Sequence, residues 1–325
     1  MRVLSGVQPS AALHVGNFFG AMKQHLELQH EHECFYFIAN LHALTTVQDG
    51  DRVRALTQDV ALDYLAMGLD PAKACFFRQS DVPEVTELAW MLATVTGKGL
   101  LERAHSYKDK VARGIPASMG VFFYPVLMAA DILIYRSQLV PVGKDQVQHI
   151  EMTQDMATYF NQAFGKPILT RPEPRLNEAP IVPGIDGQKM SKSYGNGIDL
   201  FSDPKAARKR IMSIKTDSRG VEEPKDPTTC TVFALLKLMT TPQETAEWEQ
   251  RYRAGGMGYG EAKSRLAELY EAKFGPPREA RAAWANRPDD VEDILRAGGQ
   301  RARRVAQSVM AEAREACGIV ISRPA

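Results

Sequence analysis

Over the first 165 residues, short apolar runs of strand character alternate with longer runs of helical periodicity. Arg2–Gly6, Cys34–Ala39 and Ala74–Gln79 read as buried strands, and Leu139–Val142 as a further one. Between them lie helical patterns at 17–30, with Phe18, Met22 and Leu26 on one face, and at 51–67, stopped by Gly68 and Pro71. Residues 84–95, 118–135 and 144–164 continue in the same way. Strands that alternate with helices of this length return parallel, so the pattern predicts a parallel sheet with helices on both faces. In such a sheet the ligand crevice lies beyond the carboxyl ends of the strands.

The stretch 165–187 is rich in proline and glycine and reads as a linker or loop. Beyond it the pattern is almost wholly helical, at 204–215, 231–238, 242–252, 260–274, 279–286 and 291–317. The fold class expected is α/β. A Rossmann-type parallel-sheet domain spans 1–187, a smaller all-helical domain spans 188–286, and a last helix in 287–325 packs back on the body. That helix carries Val305, Val309 and Ala313 on one stripe.

Two short strings stand out against this frame. His14-Val15-Gly16-Asn17 follows the first strand, where the crevice is expected. Lys189-Met190-Ser191-Lys192-Ser193 lies after the proline-rich stretch. Gly16 has no Cβ and lets backbone approach a nucleotide. Asn17 stands at a helix start, where free N–H groups favour anions. His14 can donate to a phosphate as its charge grows. Lys189 and Lys192 bring two cations, and Ser191 and Ser193 add hydroxyl donors. Such a set suits attack on a nucleotide phosphorus, where the protein positions reactants and neutralises charge. Either string alone also reads as ordinary surface; the pair in one frame carries the inference.

Two further segments have the look of a site. Tyr124, Met128 and Asp131 share one helix face. Asp131 stands in a very apolar context, and a buried carboxylate is costly without a donor. The donor would be a ligand N–H or O–H, or else an arginine or a helix end of the protein. In Val140–Gln146 a strand ends, Gly143 allows close approach and a helix begins. There Asp145 can accept from ribose hydroxyls and Gln146 can hold an ammonium group, although Asp145 also reads as a plain helix-start residue.

The formal net charge is +1, so there is no global basic field and any nucleic-acid contact must use local patches. Lys205, Arg208, Lys209 and Arg210 form one such cluster, and Arg301, Arg303 and Arg304 another. Either can track phosphates or be a solvated face. Trp248 reads as a base-stacking residue or as core. Cys34, Cys75, Cys230 and Cys317 are too far apart for a CxxC site, which points to reduced thiols and a cytoplasmic location. No leader pattern opens the chain, and the longest apolar stretch, 121–135, is broken by Pro125 and Asp131.

On these strings the chain resembles the bacterial tryptophanyl-tRNA synthetases of class Ic. Ser5–Ser10, His14–Asn17, Gln79-Ser80, Val82-Pro83, Tyr124–Leu133, Val140–Gln146 and Lys189–Ser193 carry the resemblance. It implies ATP-dependent activation of tryptophan and its transfer to tRNA, with Mg²⁺, in a homodimer. Asp131 would accept the indole N–H. Met128, Val140 and Val142 would line the indole pocket with His42 nearby, and Tyr124, Gln146 and Gln8 would hold the amino-acid end. Gln8, Pro9, Ser10, Gly16, Asn17, Gly143, Lys144, Asp145, Ile181, Lys189, Met190, Ser191, Lys192 and Ser193 would bind ATP. His14, Asn17, Lys110, Lys189 and Lys192 would act in catalysis, with no metal held by the protein itself.

There are departures from the family pattern. Lys144 replaces the usual Glu, Asn40-Leu41-His42 a more usual Asp-Gln-His, and Leu4 an aromatic residue. They bear on affinity and pocket shape rather than on reaction class. They leave room for a divergent second copy with a regulatory or binding role. A tyrosine ligase or a small-molecule nucleotidyltransferase would share the first motif. The Tyr124–Asp131 stripe argues against the former and the Lys189 loop against the latter.

Overall fold

Five strands form one parallel sheet in the order β3-β2-β1-β4-β5: β1 (Arg2–Val7), β2 (Glu33–Ile38), β3 (Cys75–Arg78), β4 (Leu139–Val142) and β5 (Glu173–Leu176). The computed structural model describes residues 1–10, 12–104, 107, 118–176 and 181–319, without the side chains of Asp145 and Ser193. Side chains alternate between the two faces with the period of a strand. Cys34, Tyr36 and Ile38 enter one core, while Phe35, Phe37 and Ala39 enter the other.

The order reverses at β1, with β2 on one side and β4 on the other. β1 runs in register with β2 along its whole length but meets β4 only at Val3↔Leu139. The carboxyl ends of β1 and β4 therefore part and open a crevice at the switch point.

The helices on the sheet are α1 (15–28), α2 (Asn40–Ala43), α3 (Gly50–Ala66), α4 (Glu84–Val95), α5 (Lys98–Glu102), α6 (Met119–Leu133) and α7 (Val147–Phe164). α1 is built from Val15–Asn17, a π-helical turn over Phe18–Met22, and Lys23–Leu28. It starts two residues before the expected position, because His14 caps it. The wider turn lets Phe18, Phe19 and Met22 face the core while Asn17, Gly20, Ala21 and Gln24 face the crevice.

Beyond the sheet come α8 (Pro204–Met212), α9 (Thr231–Lys237), α10 (Pro242–Ala254), α11 (Tyr259–Ala285) and α12 (Pro288–Ala316). Ile211, Leu235, Trp248, Tyr252, Leu266 and Phe274 belong to the same apolar cluster as Val3, Tyr36 and Tyr64. That core is continuous from sheet to helices. The opposite face is filled by α4, α6 and α7 together with Ala302, Ala306, Val309, Met310 and Ala313 of α12.

The expected loop at 165–187 contains β5, which the prolines had hidden. Pro174 takes a ladder position, and β5 is an edge strand, where a missing donor is tolerated. The two helices expected at 260–274 and 279–286 are one, running through Pro276 and Pro277. The two N–H groups lost there are offset by anchors on either side. Phe274 is fully buried, Arg278 bonds back to Glu271 at 2.9 and 2.7 Å, and Arg281 bonds Asp63 at 2.5 Å and Asp59 at 2.7 Å on α3. Among the described residues no helix is long and apolar enough to cross a membrane.

Candidate active site

A cavity of about 600 Å³ opens at the switch point, between the ends of β1 and β4. Gln8, Ser10, Asn17, His42, Tyr124, Met128, Asp131, Val140, Val142, Gly143, Gln146 and Lys192 line it. Twelve of the residues singled out in the sequence, drawn from six separate segments, thus meet around one space.

On one side the two motifs touch. His14 Nδ1 accepts from the Asn17 N–H at 3.2 Å, and Asn17 Oδ1 accepts from the His14 N–H at 3.0 Å. Burial and the nearby Lys192 charge pull the His14 pKa down to about 4, so the ring is neutral at pH 7. A neutral imidazole that accepts at Nδ1 carries its proton on Nε2, which leaves Nε2 as the donor.

Met190 is buried against this turn, and its Sδ accepts from the Gly16 N–H at 3.2 Å. A Cβ on Gly16 would stand 2.9 Å from His14 Nδ1 and 3.2 Å from the Met190 Cβ. The glycine is thus required by the contact between the motifs. Beyond the loop, the Val15 N–H donates to the Ile198 carbonyl at 2.8 Å and the Leu200 N–H to the Leu13 carbonyl at 3.0 Å.

The loop is clipped at its base. Asn196 accepts from the Ser191 N–H at 2.8 Å and donates to Asp186 Oδ1 at 2.8 Å and the Lys189 carbonyl at 3.2 Å. Arg210 of α8 donates to the carbonyls of Gly195 and, at 2.9 Å, Gly197. Lys192 is thereby turned into the cavity, while Lys189 stays exposed. Burial lowers the Lys192 ammonium pKa from its ordinary value, and the charges of Asp63 and Asp199 draw it back up.

On the other side Asp131 is 2% exposed, among apolar residues of α6. Its donors come from the protein and are neither of those expected. Gln79 Nε2 lies 2.9 Å from both carboxylate oxygens, and His42 Nε2 lies 3.0 Å from Oδ2. Burial raises the Asp131 pKa, and these two partners oppose the rise. Tyr124 bonds through its hydroxyl to His149 Nε2 on α7, and its ring meets the edge of His42 with centroids 6.3 Å apart. Gln8 Nε2 reaches the His42 carbonyl at 3.5 Å.

Other expected residues lie elsewhere. Ile181 is 74% exposed and outside the cavity wall. Lys144 is exposed at the start of the short helical turn before α7, and Pro9 is buried behind the wall. Lys110 and the side chains of Asp145 and Ser193 lie outside the described residues. Trp248 is core, with Arg251 4.6 Å over its ring. Of the basic clusters, Arg210 holds the loop, Arg301 bonds the Pro71 carbonyl at 3.0 Å and Arg303 bonds Glu84 at 2.7 Å.

Sequence reasoning missed Gln79, His149, Asn196 and Arg210 as parts of the site. Only Gln79 carried a usable signal, since it ends a strand on the crevice side of the sheet. His149 acts through Tyr124 on another helix, and Asn196 and Arg210 act by holding loop backbone.

The family model for class I tRNA synthetases (W and Y) matches residues 1–275. A tryptophan–tRNA ligase of Rhodopirellula baltica is 53% identical over 319 residues, which cover 98% of this chain and 100% of that one. One of Fusobacterium nucleatum is 49% identical over 320 residues, 98% of each. The crystal structure of a Campylobacter jejuni tryptophanyl-tRNA synthetase complexed with ADP and tryptophan superimposes with a TM-score of 0.92, at 48% identity, over 98% of this chain and 100% of that one.

Proposed function

The chain belongs to the class I tRNA synthetases of the tryptophan and tyrosine family, and on that premise we propose what it makes and how its cavity works. It is a tryptophan–tRNA ligase. The tryptophan carboxylate attacks the α-phosphorus of ATP, the bond to the β-phosphate oxygen breaks, and pyrophosphate leaves. The 3′-terminal ribose hydroxyl of tRNA then attacks the adenylate carbonyl and AMP leaves. The observation that carries the tryptophan reading is Asp131, a buried carboxylate facing the cavity from an apolar helix.

Each residue acts by position and charge. Met128, Val140 and Val142 enclose the indole, beside His42, and Asp131 accepts its N–H. Tyr124, Gln146 and Gln8 hold the amino-acid end. Pro9, Ser10, Gly16, Gly143, Lys144, Asp145 and Ile181 belong to the ATP side, with Met190, Ser191 and Ser193 of the loop. His14, Asn17, Lys110, Lys189 and Lys192 stabilise charge on the phosphates as it develops.

Mg²⁺ enters with the ATP phosphates, whose charge it screens. Residues 1–187 form the catalytic domain, 188–286 the helical tRNA side, and 287–325 the segment that packs back. The enzyme works in the cytoplasm as a homodimer, a state supported by Trp90, a large apolar side chain 70% exposed on α4.

The test is ATP–pyrophosphate exchange across the twenty amino acids, then charging of tRNA. Tryptophan should drive exchange and the others hardly at all. Faster exchange with tyrosine would overturn the specificity, and none with any amino acid would overturn the activity.

A further inference from the structure

We infer that Gln79 is a positioning residue that sets the amino-acid specificity of the cavity, by holding the Asp131 carboxylate as an oriented acceptor. The inference rests on the reading of Asp131 as the acceptor of the indole N–H.

Gln79 is 1% exposed and stands behind the cavity wall rather than on it. It lies in the short turn that follows β3. Its Oε1 receives the Leu41 N–H at 3.0 Å and the His42 N–H at 3.4 Å, both from the first turn of α2. Two N–H donors fix which end of the carboxamide is oxygen. The NH₂ end must then face Asp131, where it lies 2.9 Å from Oδ1 and from Oδ2. Gln79 cannot flip without setting an NH₂ group against two N–H groups, so towards Asp131 it is a donor only.

The lone pairs are divided unequally. Oδ2 accepts from Gln79 and His42, while Oδ1 accepts from Gln79 alone. Oδ1 is therefore the oxygen left to take a ligand N–H. A protonated carboxyl would instead set an O–H against that N–H. Burial pushes Asp131 towards that state, and the Gln79 donor opposes it. The ionisable groups around Asp131 are His42 on α2 and Tyr135 in the turn that follows α6, with Cys75, Asp81 and Glu84 acting on Tyr135. His149 on α7 is bonded to Tyr124 instead.

The experiment uses the full-length enzyme and the ratio of kcat/KM in pyrophosphate exchange for tryptophan over its benzothiophene analogue, from pH 6.5 to 9. The analogue lacks the N–H. Titrations of the ATP machinery act on both amino acids and cancel in the ratio. In the parent the ratio should be large and flat. In Gln79→Met, matched in size and without a donor, it should fall at least about tenfold near neutral pH. It should recover as pH rises and ionises Asp131. In Gln79→Glu the sign reverses. The introduced carboxyl shares a proton with Asp131 and donates it at low pH. On alkalinisation that proton is lost, the two carboxylates repel at hydrogen-bond distance, Asp131 is driven from its oriented position and the ratio falls.

A merely structural glutamine would slow both amino acids alike and leave the ratio flat with pH in both variants, which would overturn the inference. A reduced ratio without recovery at high pH in Gln79→Met would overturn it too. Should that variant fail to fold, the alkaline fall in the near-isosteric Gln79→Glu decides. Asp131→Asn separates the two readings. If it keeps the parental ratio, the role of Asp131 itself fails. If it loses the ratio while Gln79→Met keeps it, only the role of Gln79 fails.

Discussion

His14 uses Nδ1 to cap its own helix, so the donor left to the ring is Nε2, and burial keeps the ring neutral near pH 7. The residue that brings positive charge into the cavity beside it is Lys192. Lys192→Ala should slow adenylate formation by roughly two to three orders of magnitude, the range for removing one charge contact to a transition state. Tryptophan affinity should change little, because the loop lies across the cavity from Asp131. Single-turnover kinetics and equilibrium binding measure the two separately, and an unchanged rate refutes the role. His14, Lys192 and Asp131 were legible in the sequence because charge or polarity at a set place announces chemistry. Gln79 and His149 were harder to see, because a glutamine or histidine behind a wall acts only through its neighbour.

At the scale of elements, α12 seats closely on β3. A Cβ at Gly298 would stand 1.8 Å from the Phe76 carbonyl oxygen and one at Gly299 would stand 2.8 Å from the Asp81 Cβ. Cys75 Sγ donates to the Gly298 carbonyl at 3.1 Å, and Arg78 reaches Glu292 at 2.7 and 2.9 Å. Gly298→Ala should therefore destabilise, by about 2 kcal/mol or more, because backbone rather than a side-chain tip must give way. Gly260→Ala, in open space near the start of α11, should stabilise by about 0.5–1 kcal/mol. Denaturant midpoints of the two variants check the contrast; equal effects would mean that α12 does not press on the strand. Apolar periodicity made the strands and most helices readable. It failed at β5, where prolines sit on an edge, and at Pro276-Pro277, where side-chain anchors from α3 override a local break.

For the molecule as a whole, the core that joins sheet and helices includes a buried histidine. His25 stacks on Tyr36 with centroids 4.9 Å apart and bonds the Tyr64 hydroxyl at 2.9 Å through Nδ1. Burial lowers its pKa to about 4, against 6.5 for the exposed ring. The unfolded chain binds that proton first, so this part of the stability is complete above pH 6.5 and is lost as pH falls towards 4. Between pH 7 and 4.5 the loss should be about 2–3 kcal/mol. His25→Gln, which keeps an acceptor for Tyr64 but does not titrate, should make the fall of urea midpoints over that range shallower, with His14, lowered likewise to about 4, keeping its own part. A parental slope in the variant would assign the acid loss to other groups. The apolar periodicity of α12 was also plain in the sequence, but the closeness of its seat on β3 depends on two glycines meeting a distant backbone. That seat has a consequence in time. Cys75 and the Gly298 carbonyl it bonds are 223 residues apart. A ribosome adding roughly 5–20 residues per second needs roughly 10–45 s to make that span. Throughout it the nascent sheet shows the apolar surface that Ala302, Ala306, Val309 and Met310 will later cover. Every residue of the cavity wall has by then been synthesised, yet the chain carrying it is still adhesive. Survival through translation depends on a helix that lines no part of the cavity.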